Sequence, residues 1–556
     1  MRTGQFPALK ALEGIKPRAV RKILEQHRYA VTDLGCYSLG MKRLLRALLS
    51  IGLMIAAAIF VCRAVFPLPD KNFDEATTHS SASWTSSLGQ IVENAVARHE
   101  GKTGVLPLSN GRDAFTARAL LIREAQTSID AQYYIWQNDT TGVMLLNELR
   151  AAAERGVRVR LLLDDNGISG LDNKLAELDN MPSAEVRIFN PFTLRKPKLA
   201  SYLFDFPRLN RRMHNKSITF DGFASIVGGR NIGDIYFEFG KGLHYVDVDV
   251  LALGEIVDQI SDNFDAYWNS GSVYAADYVL PAHLPDEPSI SDSADAARQT
   301  ARGSGYHNAI LHSPLAKGIQ EKYLPLEWTN VRLFSDPPTK GLKGKSTEGF
   351  LAHDLASFAL EAETSVDLVS AYFVPSTFAL NLFGQFSENG VATRVLTNSM
   401  EATDVAPVHG AYMRKRPALL ENGTRLFELE ALREKHRNLS LPEILAGSAS
   451  SLHAKVMSFD RKRAFIGSYN LDPRSAWLNC EMGLLIESPT IATWISEHLD
   501  SPRFAYEVKQ DDQGALVWIS TEDDGTQTTL TSEPNVSRLH RAIVSFSGWL
   551  PLDWLL

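Results

Sequence analysis

The sequence predicts an α/β protein of two tandem repeats, behind an apolar segment long enough to cross a bilayer. Three observations carry this. A strand–helix–strand pattern occurs twice, one short motif closes each copy, and a run of about twenty apolar residues stands near the amino terminus. At 556 residues the chain exceeds one ordinary core. Its net charge of −8 argues against a protein that coats nucleic acid, since such proteins carry a basic excess. Cys36, Cys62 and Cys480 form neither a disulfide framework nor a zinc spacing.

Residues 1–46 are basic, with Lys42, Arg43 and Arg46 directly before the apolar run at 47–66, which only Arg63 interrupts. Basic flanks stay in the cytoplasm, so a single-pass anchor with the rest of the chain exported is the first reading. A cleaved signal peptide starting at Met41 is the second, in which case residues 1–40 are not translated. A buried core helix is the third. Residues 67–100 read as a Ser/Thr-rich linker.

The repeats occupy 101–280 and 346–500. Thr127-Ser-Ile-Asp-Ala-Gln-Tyr-Tyr-Ile-Trp136 and Thr364-Ser-Val-Asp-Leu-Val-Ser-Ala-Tyr-Phe373 each read as a helix end followed by a strand. Strands opened by Gly156 and Gly390 follow, then Glu185–Phe189 and Thr424–Glu428, which suggests mostly parallel sheets. The Pro/Ser-rich stretch 281–345 is the expected connector. Residues 501–556 lose the alternation and read as an appendage. Its end, Trp549–Leu556, suits either a membrane interface or packing on the body of the fold.

Each repeat closes on one motif. His214, Lys216, Asp221, Gly228 and Asn231 match His453, Lys455, Asp460, Gly467 and Asn470 at identical offsets. Five residues at fixed offsets arise by chance about three times in ten million positions. On a strand, His and Lys two apart share a face. The histidine can attack or carry a proton, and the lysine supplies charge for a phosphate oxygen. Asp221 and Asp460 stand with the catalytic set, more as supports that orient a residue or pair with a lysine than as reacting groups.

These motifs resemble the two HKD motifs of the phospholipase D superfamily over roughly residues 105–500. YYIWQNDTTG, RRMHNKS and IGSYNLDPRSAWLNCEMG resemble its bacterial cardiolipin synthases, the C-type members in particular. The resemblance implies two repeats of mixed sheet flanked by helices, packed with pseudo-two-fold symmetry around one site. It implies a phosphatidyltransferase making cardiolipin from phosphatidylglycerol and a second phospholipid through a phosphohistidine, with a lipid hydrolase or a nuclease as alternatives. His214 would be the nucleophile and His453 the acid/base. For Asn231 and Asn470, and for Gly229 and Ser468, which differ between the copies, phosphate binding is what the resemblance implies. No cofactor or metal is implied, because the lysines supply the charge. The implied partners are glycerophospholipids and the bacterial inner membrane, with catalysis on the periplasmic side and no nucleic acid. A carboxylate downstream of each motif would orient its histidine: Glu481 in the second copy, and Asp249 rather than Asp247 in the first.

Three further signals are weaker. Tyr133, Tyr134 and Trp136 suit a core or pocket wall better than a ligand contact. Asp164–Asp165–Asn166 looks like a carboxylate pair for a metal, but more like a turn. His409, Tyr412, Arg414, Lys415 and Arg416 suit either a second lipid phosphate or a solvated basic face.

Overall fold

The structure, a computed structural model, describes residues 45–69, 76–85, 87–237, 245–313, 316–318, 321, 323–342, 349–431, 451–500, 505–522 and 524–549. The basic segment through residue 44, with Cys36, and the tail at 550–556 lie outside the described residues. The chain divides into two compact units. One comprises residues up to Pro67 together with Leu199–Asp205, the other Leu68–Lys198 and Phe206–Leu556.

In the first unit the apolar run is a helix, Leu45–Val65, largely exposed along its 21 residues. At 1.5 Å per residue it spans about 31 Å, the thickness of a bilayer core. Among the described residues it alone is long and apolar enough to cross a membrane. Arg63 Nε, near its end, donates to the Phe204 carbonyl at 2.8 Å, and the Phe66 and Phe204 rings stack 6.1 Å apart.

The second unit is built on two mixed sheets. Three strands of each are parallel neighbours, as the alternation predicts: Ser128–Ile135, Arg158–Gly167 and Ala184–Phe189 in one, Ser365–Ser370, Ala392–Asn398 and Arg425–Leu429 in the other. The expectation of mostly parallel sheets fails at the motifs. Ser217–Phe220 and Lys455–Phe459 run antiparallel to their neighbours on both sides, because each motif strand opens a hairpin. The chain reverses at Asp221–Gly222 and at Asp460–Arg461, all four at positive φ, where Asp and Gly are favoured. The sheets pack face to face through Val227, Val250, Ala464, Ile466 and Leu484. Helices Gly111–Glu124 and Thr140–Glu154 cover the outer face of the first sheet, and Leu351–Ala359 and Thr377–Glu388 that of the second.

The stretches read as linker, connector and appendage are built into this body. His79, in the linker, bonds Asp265 at 2.8 Å. The connector contributes Glu327–Thr329 to the edge of the first sheet and Val331–Ser335 to the edge of the second. The appendage adds Ala505–Gln510, Leu516–Thr521 and Gln527–Leu530 to the second sheet.

The two motif aspartates lie where the motif strand ends, away from the histidine that precedes it. Asp221 accepts from the backbone N–H groups of Gln126, Thr127 and Ser128 and from the Thr127 hydroxyl, at 2.8–3.1 Å. Asp460 accepts the matching set from Glu363, Thr364 and Ser365. Their place among the catalytic residues is therefore corrected: each pins the loop ahead of the first strand of its repeat. Asp221→Ala leaves several donors unmatched and is expected to cost about 3 kcal/mol of stability. Calorimetry should show a lower melting temperature while turnover per folded molecule is retained. Loss of turnover at unchanged stability would restore Asp221 to the chemistry.

Candidate active site

Backbone hydrogen bonds between the repeats set the two histidines. His214 N–H donates to the Cys480 carbonyl at 2.7 Å, and Cys480 N–H to the Arg212 carbonyl at 2.8 Å. This brings His214 beside Glu481. In the other direction Tyr245–Val246 pairs with Ser451–Leu452, and His453 N–H donates to the Val246 carbonyl at 2.9 Å. His453 thus stands beside Asp247.

The carboxylates are exchanged between the repeats. His214 Nδ1 lies 2.7 Å from Glu481 Oε2, and His453 Nδ1 lies 2.5 Å from Asp247 Oδ2. A carboxylate can only accept, so each Nδ1 carries a proton, and attack or proton transfer falls to Nε2. Lys216 and Lys455 are buried, and each Nζ donates back to the carbonyl of its own motif histidine. Two aromatic rings stand edge-on to the histidines, Tyr134 at 5.1 Å from His214 and Tyr236 at 5.3 Å from His453.

Burial and the crowd of cations lower the proton affinity of both histidines and both lysines. His214 is held well below an ordinary imidazole, first by burial and then by Lys216 and Lys455. His453 is lowered by the same causes, but Asp247 works against them. Asp247 stays below an ordinary carboxylate although burial opposes this, because His453 and Lys455 favour its charge. Glu481 is pushed up by burial. Burial, with Lys455 nearby, brings Lys216 down to about 7.

The Lys216 value yields a testable pH dependence. A lysine is charged below its pKa, so the free site loses this phosphate-binding charge as pH rises through about 7. The kcat/KM profile, which reports the free enzyme, is expected to fall on that limb. A bound phosphate anion stabilises the ammonium, so the limb in kcat lies at higher pH. Coincident limbs in both parameters would show that Lys216 does not titrate there.

Comparison with known proteins agrees with this geometry. The family model described as "Cardiolipin synthase, PLD-like domain" matches residues 120–268 and 355–502, one stretch for each motif. The chain is 40% identical to cardiolipin synthase C of Escherichia coli strain K12, over 84% of this chain and 99% of that protein. The chain belongs to the phospholipase D-like cardiolipin synthase family. It is 25% identical to the major cardiolipin synthase of Bacillus subtilis, over 72% of this chain and 70% of that one. The solved structure of phosphatidylserine synthase from Haemophilus influenzae Rd KW20 shares the fold, with a TM-score of 0.51 at 14% identity over 82% of this chain and 96% of that chain. The protein is accordingly a phosphatidyltransferase of the phospholipase D superfamily.

Within this family frame, several sequence assignments shift. Asp249 orients no histidine: it accepts from Arg118 Nη2 at 2.9 Å and from the Arg230 N–H at 3.1 Å. Strand register explains why. Gly228 pairs with Asp249 and Gly467 with Gly483, so the counterpart of Glu481 two residues earlier is Asp247.

Ser468 and Gly229 serve these carboxylates, not phosphate. The Ser468 hydroxyl donates to Glu481 Oε2 at 2.5 Å. A Cβ on Gly229 would come within 2.1 Å of Asp247 Oδ1. The shorter carboxylate lies directly over Gly229, and the longer one reaches a hydroxyl, which accounts for the difference between the two copies. Both backbone N–H groups bond carbonyls, those of Val248 and Met482.

Asn231 Oδ1 accepts from Ile135 N–H at 3.1 Å, and its Nδ2 donates to the Tyr236 hydroxyl at 3.1 Å. Asn470 Oδ1 accepts from Tyr372 N–H at 3.3 Å. Both amides thus fasten the loop after the first strand of their repeat.

Other expectations resolve similarly. Tyr133 and Trp136 are core, while Tyr134 faces His214. Asp164 accepts from Arg212 and from Met213 N–H, fixing the residue before His214, and Asp165 pairs with Arg195 and Lys198. Neither carboxylate is arranged as half of a metal pair. Arg416 is buried between Glu428 and Glu533, beside His409 and Tyr412, so it serves neither a second phosphate nor a solvated face.

Sequence reasoning missed Asp336 and Lys340, because they lie in the presumed connector. Asp336 accepts the Glu481 N–H at 2.9 Å and pairs with buried Lys340 at 2.7 Å, so it steadies the carboxylate that holds His214. It also missed Tyr236 and Arg474. Arg474 grips Asn210 and bears electrostatically on His214. Its position four residues after Asn470 was the available signal.

Proposed function

We propose that the protein makes cardiolipin, transferring a phosphatidyl group from one glycerophospholipid to the free glycerol hydroxyl of phosphatidylglycerol. The observation that carries this is the reciprocal pairing: two histidines, each held at Nδ1 by a carboxylate of the other repeat, between two buried lysines. His214, whose neutral form burial and the two lysines favour, attacks phosphorus through Nε2 as the bond to the leaving alcohol breaks. His453, whose charged form Asp247 favours against burial, gives a proton to that alcohol. The phosphohistidine is then attacked by the acceptor hydroxyl. His453 takes the acceptor's proton, and the P–N bond breaks. Lys216 and Lys455 stabilise the charge on the nonbridging oxygens. With phosphatidylethanolamine as donor, the products are cardiolipin and ethanolamine.

The helix Leu45–Val65 and the basic residues before it support a single-pass anchor in the bacterial inner membrane, with the catalytic unit on the periplasmic side. Enzyme and lipids then meet in two dimensions.

The test is mass spectrometry of lipids after the purified full chain meets phosphatidylglycerol and acyl-labelled phosphatidylethanolamine. Label in cardiolipin, absent with His214→Ala, is the expected result. Label only in phosphatidic acid would make the enzyme a hydrolase. No lipid turnover, with cleavage of single-stranded DNA, would make it a nuclease.

A further inference from the structure

The second repeat contains a cavity of about 270 Å³ that the chemistry above does not use. Its floor is the outer face of the second sheet, at Val366, Leu368, Met457 and Phe459. Its roof comes from Leu355 and Ala356 of helix Leu351–Ala359 and from Leu382 and Phe386 of helix Thr377–Glu388. Strand register relates it to the active site. Ser370 pairs with Lys455, Leu368 with Met457 and Val366 with Phe459, so the floor lies on the same face of the sheet as the catalytic lysine. From Lys455 to Phe459 the strand advances about 13 Å.

At its upper end the cavity is lined by Tyr469, Leu471 and Asp472, which bracket Asn470. Lys455 and the cavity floor at Met457 and Phe459 moreover belong to one strand, Lys455–Phe459. Phe378 and Trp477 also line it, and at 61% and 49% exposed they mark where it opens. Water gains little from walls of this composition, whereas a hydrocarbon chain matches them.

We propose that this cavity takes one acyl chain of the glycerophospholipid whose phosphate sits between His214 and His453, an inference that rests on the lipid reading above. The chain enters past Phe378 and Trp477 and lies along the strand Lys455–Phe459, with the ester end nearest Asn470. The cavity thereby contributes to the choice of lipid by chain length. Each methylene withdrawn from water strengthens binding about fourfold until the cavity is filled.

The experiment has two arms, both on the full chain. In the first, kcat/KM is measured for the donors dibutyroyl and dioctanoyl phosphatidylethanolamine, at a fixed concentration of phosphatidylglycerol, with wild type and with Leu382→Trp, which fills the cavity. The dioctanoyl-to-dibutyroyl ratio is expected to fall at least tenfold in the variant. An unchanged ratio in a variant that melts like wild type would overturn the proposal. In the second arm, wild type is irradiated with a phosphatidylethanolamine carrying a diazirine near the end of one acyl chain. Label is expected in peptides covering 377–388 or 455–459, and label only elsewhere would overturn the proposal. This arm decides the matter if Leu382→Trp does not fold. It also separates the two readings. Cavity labelling without phosphatidyl transfer would sink the function and keep the cavity, and transfer without cavity labelling would do the reverse.

Discussion

His214→Ala is expected to abolish phosphatidyl transfer, by about 10⁴-fold or more, and to form no covalent intermediate. An alanine offers neither lone pair nor ring to the phosphorus, and loss of a nucleophile removes the path rather than slowing it. His453→Ala is expected to lose natural turnover by a similar factor for a different reason, since its task is to protonate a poor leaving group. A p-nitrophenyl phosphodiester tells the two roles apart, because nitrophenolate departs without a proton. With it, His453→Ala should release about one equivalent of nitrophenolate per enzyme and then stall as the phosphohistidine, while His214→Ala releases none. The opposite pattern would exchange the roles. The electrostatics favour the assignment as given, because Asp247 favours the charged form of His453, whereas burial and the lysines favour the neutral form of His214.

Asp247→Asn is expected to cost about 10⁴-fold in kcat with the fold intact. An asparagine amide can present its NH₂ group to His453 Nδ1, which then accepts, and the ring proton moves to Nε2. The tautomer is wrong for taking the acceptor's proton, and replacing a triad aspartate by asparagine has a comparable effect elsewhere. Glu481→Gln should damage the other half-site in the same way, through His214. The decisive readout is which half-reaction fails. With the nitrophenyl ester, Glu481→Gln should lose the burst. Asp247→Asn, on the other repeat from the histidine it would impair, should keep the burst and lose the second step. If each carboxylate instead affected the histidine of its own repeat, the exchanged pairing would be wrong.

Much of this site is legible in the sequence. His214, Lys216 and Asn231 with His453, Lys455 and Asn470 stand at identical offsets, and such offsets carry meaning because strand and turn geometry are local. The same offsets misled at Asp221 and Asp460. Their repetition reflects a repeated need to pin a loop, and repetition does not distinguish structure from chemistry. Asp249 was misread for another reason. The choice of Asp249 ignores Arg118, which arrives from a helix 131 residues earlier and takes the carboxylate.

The connector and the tail read as loose because short strands such as Glu327–Thr329 have no strong pattern of their own. They are stable only as edges of sheets already formed.

By itself, then, the sequence determined the two repeats, their mixed chemistry of histidine and lysine, the apolar helix and the family. Each depends on spacing or composition within a short stretch, where the backbone leaves few choices. Only the tertiary structure decided that Glu481 holds His214 and Asp247 holds His453, across 267 and 206 residues of chain. It also decided that Ser468 and Gly229 accommodate carboxylates of different length. Those choices follow from the register and packing of strands remote in sequence, where a shift of two residues exchanges one buried aspartate for another.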